Sequence, residues 1–333
     1  MASNGPRLLM GIDVGGTKSL AVLAEPSGNI VARKREKTPR KGSAEDVLEA
    51  ILGLMEDLLA QERLSAKNLK AVGLAVPGVV DTAEGRVVVT PNMNLSGLVV
   101  VPRVQERLGV PVALGNDVNL GTLGEFWLGA ARHAQSVVGI FVGTGIGGGI
   151  IIDGELLEGY RMAAGEIGHI VMQVGGPLCG CGNRGCLEAL ASRTAIERDI
   201  REAVAAGEKT VLTDLAKGDL SVIRSGMLRK ALAKEDRLTT KVIRNAAELL
   251  GYACLTVRHM LDPEVIVLGG GVIEACGDFV VPIVAKVVVC DKLPGARHGG
   301  QVVPSVLGDD AVALGAVALA EQKAGGHPFA ANR

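Results

Sequence analysis

Two stretches of this chain read alike, and they lie more than a hundred residues apart. Gly11-Ile12-Asp13-Val14-Gly15-Gly16-Thr17 lines up with Gly139-Ile140-Phe141-Val142-Gly143-Thr144-Gly145. Each is an apolar strand, a Gly-rich turn and a second apolar strand. Solenoid repeats recur every 20–50 residues or so, so a duplication at this distance predicts two related domains facing each other. With 333 residues, two domains of ordinary size are also what length allows.

Strand and helix signals alternate along the chain, which predicts the α/β class. Leu8–Val14, Leu20–Ala24 and Ile30–Glu36 read as strands, with a turn at Pro26-Ser27-Gly28-Asn29. Helical spacing runs from Val47 to Leu59, with Ser43 placed to cap it and Asp46 three residues on. Ala71–Val76, Val112–Leu114, Glu264–Leu268 and Val302–Val306 read as further strands. Helices are expected from Asn116 to about Ala131, over Ser192–Ala205 and Leu238–Leu261, and over Asp310–Lys323. The tail from Gly325 is expected to fray.

Composition narrows the function. Hydrophobic residues make up 48% and aromatics only 2%. The cores are therefore built from Val, Leu, Ile and Ala, which suits buried parallel strands. A base-stacking nucleic-acid binder would need aromatic platforms. A formal net charge of −1 gives no reason to expect a polyanion partner. No signal peptide is visible, and no apolar run reaches the roughly 18 residues of a membrane span. A soluble, cytoplasmic protein with no nucleic-acid and no membrane partner is expected.

Three Gly-rich turns follow strands: Asp13-Val14-Gly15-Gly16-Thr17-Lys18, Gly143-Thr144-Gly145-Ile146-Gly147-Gly148-Gly149 and Gly269-Gly270-Gly271. Such turns let backbone approach a ligand and aim successive N–H groups at an anion. Neither GxxxxGK[ST] nor a helix-opening GxGxxG is present. Asp13 would place a carboxylate beside bound phosphates, where it could hold Mg²⁺. Asn116-Asp117 lies where a strand meets a helix, the usual ligand site of α/β proteins. Asp117 there reads either as a general base for an attacking hydroxyl or as a helix cap.

Gly165-Glu166-Ile167-Gly168-His169 precedes Cys179-Gly180-Cys181-Gly182-Asn183-Arg184-Gly185-Cys186-Leu187-Glu188. His169, Cys179, Cys181 and Cys186 make a closed Cys₃His set of the kind that holds structural Zn²⁺. No position remains for a catalytic water, so the metal would order a loop poor in apolar residues. Cys254, Cys276 and Cys290 are scattered among apolar residues and are expected to be buried.

These motifs resemble the ROK family (repressors, uncharacterised open reading frames and sugar kinases), and within it the bacterial glucokinases. The resemblance runs from about Leu9 to about Ala320. It implies the actin-like ATPase (ribonuclease H-like) fold, two α/β domains flanking a cleft that holds the active site. The expected division is 1–116 with 310–333 as a small domain, and 117–309 as a large one bearing the zinc loop. By resemblance Asp117 is the catalytic base. Asn92, Asn116, Asp117, Glu166, His169 and Glu188 match sugar-binding positions. Asp13, Gly15, Gly16, Thr17, Lys18, Gly143, Thr144, Gly145, Gly269, Gly270 and Gly271 are the expected nucleotide contacts. His169 would hold zinc with one ring nitrogen and a sugar hydroxyl with the other.

Two departures bear on specificity. Gly115 stands where many members have Glu before Asn-Asp, which leaves the core pair intact. Pro91-Asn92-Met93-Asn94-Leu95 lacks the Trp that often follows, and the one tryptophan is Trp127. The expected activity is ATP-dependent phosphorylation of a hexose, with glucose the leading substrate. N-acetylmannosamine, N-acetylglucosamine and fructose are alternatives, as are polyphosphate as donor and a sugar-sensing regulator without a DNA-binding domain. Family repressors carry a helix-turn-helix before the first Gly-rich turn, and about ten residues precede it here. A homodimer or homotetramer is implied by the resemblance alone.

Overall fold

Two five-stranded sheets laid out on one plan organise the chain. The computed structural model describes residues 7–91, 93–293 and 300–330. The first stretch runs β1 (Leu8–Val14), β2 (Lys18–Ala24), β3 (Ile30–Lys37), α1 (Ala44–Gln61), β4 (Leu69–Val76), β5 (Val79–Asp81), β6 (Arg86–Val89), α2 (Val101–Leu108), β7 (Val112–Asn116) and α3 (Asp117–Trp127). There follow β8 (Val137–Val142), β9 (Ile146–Ile152), β10 (Glu155–Leu156), α4 (Leu187–Ala191), α5 (Arg193–Ala205), α6 (Leu212–Leu215) and α7 (Ser225–Ala233). The rest is α8 (Arg237–Leu261), β11 (Val265–Gly269), α9 (Gly271–Val289), β12 (Gln301–Pro304) and α10 (Ala311–Lys323).

The first sheet has the order β3-β2-β1-β4-β7, with β1, β2 and β3 antiparallel and β1, β4 and β7 parallel. The second has the order β10-β9-β8-β11-β12, with β9 and β10 antiparallel and β8, β11 and β12 parallel. The repeated sequence falls on β1–β2 and on β8–β9, so the duplication is one of topology. In both sheets the central parallel strands are near-continuous apolar runs, as burial on both faces requires.

By internal contacts the chain separates into Met1–Gln135 with Gly149–Ala164 and Asp309–Arg333, and Ser136–Gly148 with Gly165–Gly308. Against the expected boundary at 116/117, α3 groups with the first unit. The reason is its packing against α10. A methyl on Gly315 of α10 would run into the Leu120 carbonyl of α3, and one on Gly73 of β4 into the Ala316 carbonyl of α10. Backbones meet here without side chains between them, which is how a core so poor in aromatics closes. On the same sheet α1 buries eight apolar residues, Val47 to Leu59, each contributing roughly 1.5–3 kcal/mol. Ser43 and Asp46 form its capping box.

Several local expectations change. α3 ends at Trp127 and not near Ala131, because the buried Glu125 carboxylate accepts the Ala130 N–H at 2.8 Å and stops the helix. The last strand is Gln301–Pro304. Cys254 and Cys276 are buried, but Cys290 is exposed, since it caps the end of α9 outside the core. Where the tail is described it is packed and not frayed: Phe329 is buried, its ring 5.2 Å from that of Phe126. Among the described residues no helix is long and apolar enough to cross a membrane.

Candidate active site

The first unit gathers its polar residues at the carboxyl ends of β1, β4 and β7. The backbone of Thr38 donates to the Thr17 carbonyl at 3.1 Å, and its hydroxyl donates to the Gly15 carbonyl at 2.6 Å. Arg40 donates from Nη2 to the Thr17 hydroxyl at 3.0 Å. The turn that carries Gly15, Gly16, Thr17 and Lys18 is therefore held by the segment leaving β3. Lys18 opens β2 and is exposed.

Asn116 and Asp117 both meet the start of α3. It is Asn116 that caps α3: its Oδ1 accepts from the Val118 and Asn119 N–H groups at 2.9 and 3.0 Å. Its Nδ2 donates to the Gly78 carbonyl at 2.8 Å, tying β7 to the turn after β4. Asp117 is the first residue of α3 proper, and its Oδ1 accepts from Val118 N–H at 2.9 Å. The helix N-terminus favours its charge. Asp13 ends β1 close by. Burial pushes its carboxyl up from 3.8 to about 7, aided by the Asp117 and Asp309 charges and opposed by Arg35. A carboxyl in that state has charge repulsion that a bound cation would relieve, so Asp13 fits the Mg²⁺ of a nucleotide.

In the second unit the carboxyl ends of the adjacent parallel strands β8 and β11 bring two Gly-rich turns side by side. Gly269 pairs with Phe141, and a methyl on Gly270 (φ 85°) would meet Val142 backbone at 2.7 Å. Gly143, Thr144 and Gly145 are fastened from behind by the start of α5. Arg193 N–H donates to the Gly143 carbonyl at 3.0 Å, and Thr194 donates its hydroxyl to the Thr144 carbonyl at 2.8 Å. Arg193 Nη2 also donates to the Thr144 hydroxyl at 2.9 Å.

The same unit holds the cysteine loop. One donor atom from each of His169, Cys179, Cys181 and Cys186 lies within 4.8 Å of the others. Cys181 and Cys186 Sγ are 3.7 Å apart, and Cys179 Sγ is 3.6 Å from His169 Nδ1. Tetrahedral Zn–S bonds of ~2.3 Å would set sulfurs about 3.8 Å apart, so the set fits zinc. Gly185 is forced by its φ of 76° and by the Gln173 carbonyl packed where a side chain would go. His169 Nε2 points to the other side, 3.8 Å from the exposed Glu166 carboxylate. Glu188, in the first turn of α4, lies between the cysteine loop and the Gly143–Gly145 turn. Its Oε2 accepts the Ile146 N–H at 2.9 Å and its Oε1 is 3.6 Å from Cys179 Sγ.

The predicted residues thus fall into two groups. Asp13, Gly15, Gly16, Thr17, Lys18, Asn116 and Asp117 lie in the first unit, and the remainder lie in the second; Asn92 is outside the described residues. Thr38, Arg40, Arg193 and Thr194 were not anticipated. They follow no motif spacing, and only their place just beyond a strand or at a helix start could have flagged them.

The chain matches the model of the ROK family over residues 9–323. It is 33% identical over 323 residues to the glucokinase of Thermotoga maritima, covering 96% of this chain and 100% of that one. It is 28% identical to a putative xylose repressor of Caldicellulosiruptor, covering 94% of this chain and 77% of that one. Among solved structures it superposes on a ROK family glucokinase from Streptomyces griseus in complex with glucose and AMPPNP, at 30% identity and a TM-score of 0.82, covering 95% and 99%. Two mixed sheets with matched strand order, each ending in Gly-rich turns, are the actin-like ATPase architecture, and this chain is a member of the ROK family.

Proposed function

We propose that the protein is an ATP-dependent hexose kinase that converts glucose to glucose 6-phosphate, with Asp117 as general base. The observation that carries this is the division of labour at the start of α3. Asn116 supplies the cap by accepting from the Val118 and Asn119 N–H groups, and the Asp117 carboxylate stands beside it as a separate acceptor at the carboxyl end of β7. Its chemistry suits proton acceptance from a sugar hydroxyl. As that proton reaches Asp117, the hydroxyl oxygen bonds to the γ-phosphorus of ATP. The bond from that phosphorus to the bridging oxygen breaks, and ADP leaves with the electron pair. Backbone N–H groups of the Gly-rich turns and Lys18 would hold the phosphates.

Mg²⁺, held by Asp13, would neutralise charge on the transferring phosphoryl group. Zn²⁺ on His169, Cys179, Cys181 and Cys186 would be structural, ordering the loop from which His169 Nε2, Glu166 and Glu188 reach sugar hydroxyls. With Asn116 and the Asn92 loop, these are the proposed sugar contacts. The same reading places the enzyme in the cytoplasm, where ATP is available, as a homodimer or homotetramer.

The deciding experiment is an ADP-release assay over glucose, fructose, N-acetylmannosamine and N-acetylglucosamine, with ATP or polyphosphate as donor and metal analysis on the same sample. Glucose and ATP should give the highest kcat/KM, with one zinc per chain. Turnover on none of these sugars would reject the kinase reading, and a zinc-free, fully active sample would reject the metal assignment.

A further inference from the structure

The Gly143-Thr144-Gly145 turn carries a cation that its own sequence does not. Two of the three turn carbonyls that would repel an anion are occupied by α5, through Arg193 N–H and the Thr194 hydroxyl, and the third, on Gly145, accepts the Gly143 N–H. The Arg193 guanidinium then folds back over the turn and donates to the Thr144 hydroxyl. Its Nε lies 3.0 Å from Glu197 Oε1, an ion-pair distance without hydrogen-bond alignment. Glu197 is nearly buried and also lies 3.6 Å from Arg201, so its single charge is shared between two cations.

The guanidinium is thus steered at two points, while the Arg193 side chain stays 32% exposed. An arginine has five N–H donors in a planar fork, and Thr144 and Glu197 occupy only part of it. A fork with donors to spare, fixed against a Gly-rich turn, matches phosphate oxygens in both charge and shape. The N-terminus of the 13-residue α5, capped by Ser192, adds partial positive charge from the same side.

We infer that Arg193 is a phosphate-binding residue, its guanidinium contacting the polyphosphate chain of the nucleotide at the second turn. This rests on the reading of that turn as a nucleotide site. It assigns to α5 a binding role in addition to its role as a brace.

The test is calorimetric binding of AMPPNP, inorganic tripolyphosphate and adenosine to the full chain over a salt series. The proteins compared are the parent, Arg193→Met, Arg193→Lys and Thr144→Val. Losing a charge-assisted contact should weaken AMPPNP and tripolyphosphate about 10- to 100-fold in Arg193→Met. Adenosine should bind as before, and the salt dependence should flatten because one cation has gone. Arg193→Lys should recover part of the affinity and the full salt slope, and it carries the test if the Met variant folds poorly. Thr144→Val removes the brace but keeps the charge, so its salt slope should match that of the parent. Unchanged tripolyphosphate affinity and salt slope in Arg193→Met would overturn the inference. So would an equal loss for adenosine and tripolyphosphate, which marks a brace alone. A parent that binds neither AMPPNP nor tripolyphosphate would overturn the nucleotide reading of the turn itself.

Discussion

The turn after β1 and the turn after β8 are copies whose electrostatics have diverged. Each has a Thr hydroxyl that accepts from an arginine, Arg40 on Thr17 and Arg193 on Thr144. Each has a carbonyl that accepts from a second threonine, Thr38 at Gly15 and Thr194 at Thr144. The braces come from unrelated places, a loop in one case and a helix start in the other. What differs is the strand before the turn. Asp13 in the first copy corresponds to Phe141 in the second, and only Asp13 has a carboxylate neighbour in Asp117. On the proposed reading both turns hold phosphates, and the Asp13/Phe141 difference confines proton and cation chemistry to the first.

The largest effect that this contrast predicts is at Asp117. Asp117→Asn retains size and helix position but cannot accept the proton, so kcat should fall about 10²–10⁴-fold while sugar affinity changes little. Turnover within threefold of the parent would remove the chemical distinction between the copies.

The next effect lies in the second copy. Glu188→Gln weakens a charge-assisted contact to Ile146 N–H as well as the proposed sugar contact, so KM should rise about tenfold for ATP, by loosening the turn, and for the sugar. Steady-state kinetics with each substrate varied in turn would check this. If KM rises for the sugar alone, the Ile146 contact is idle and Glu188 acts only on substrate.

The smallest effect is on stability. The folded protein holds the Asp13 proton up to about pH 7, whereas the unfolded chain releases it near 3.8. Folding is therefore penalised increasingly as pH rises from about 4 to about 7, fully above that range and not at all below it. In metal-free buffer Asp13→Asn should melt a few degrees higher than the parent at pH 8, with the gap closing by pH 4. A gap of the same size at both values would mean that Asp13 is not the origin.

Much of this was legible in the sequence because the signals were local. Buried parallel strands announce themselves as apolar runs, and the Ser43 capping box fixed the start of α1 to the residue. The Cys179-x-Cys181-x₄-Cys186 spacing with His169 was enough to find a cluster whose atoms converge. The braces were not legible, because Thr38 and Thr194 act through long-range hydrogen bonds that leave no periodic trace. Nor was the grouping of α3 with the first unit. That depends on Gly315 meeting Leu120 across the fold, and glycine in a helix reads locally only as a cost. The exposure of Cys290 was missed because its apolar neighbours in sequence include the exposed Val289, and Cys290 itself lies just past the end of α9.

The close seating of α10 on β1, β4 and α3 has a consequence for how the chain is made. β7 leaves the ribosome at Asn116, but the helix that closes its sheet is complete only at Lys323, about 200 residues later. At roughly 5–20 residues per second, the first sheet waits on the order of 10–40 s with the strip around Gly11 and Gly73 unpaired. At Gly11 and Gly73 that face has no side chain, while Leu9 and Ala71 on the same face stay uncovered until α10 arrives. The same small residues that permit backbone contact in the finished protein thus make the first sheet depend, while it is being synthesised, on a helix encoded at the far end of the chain.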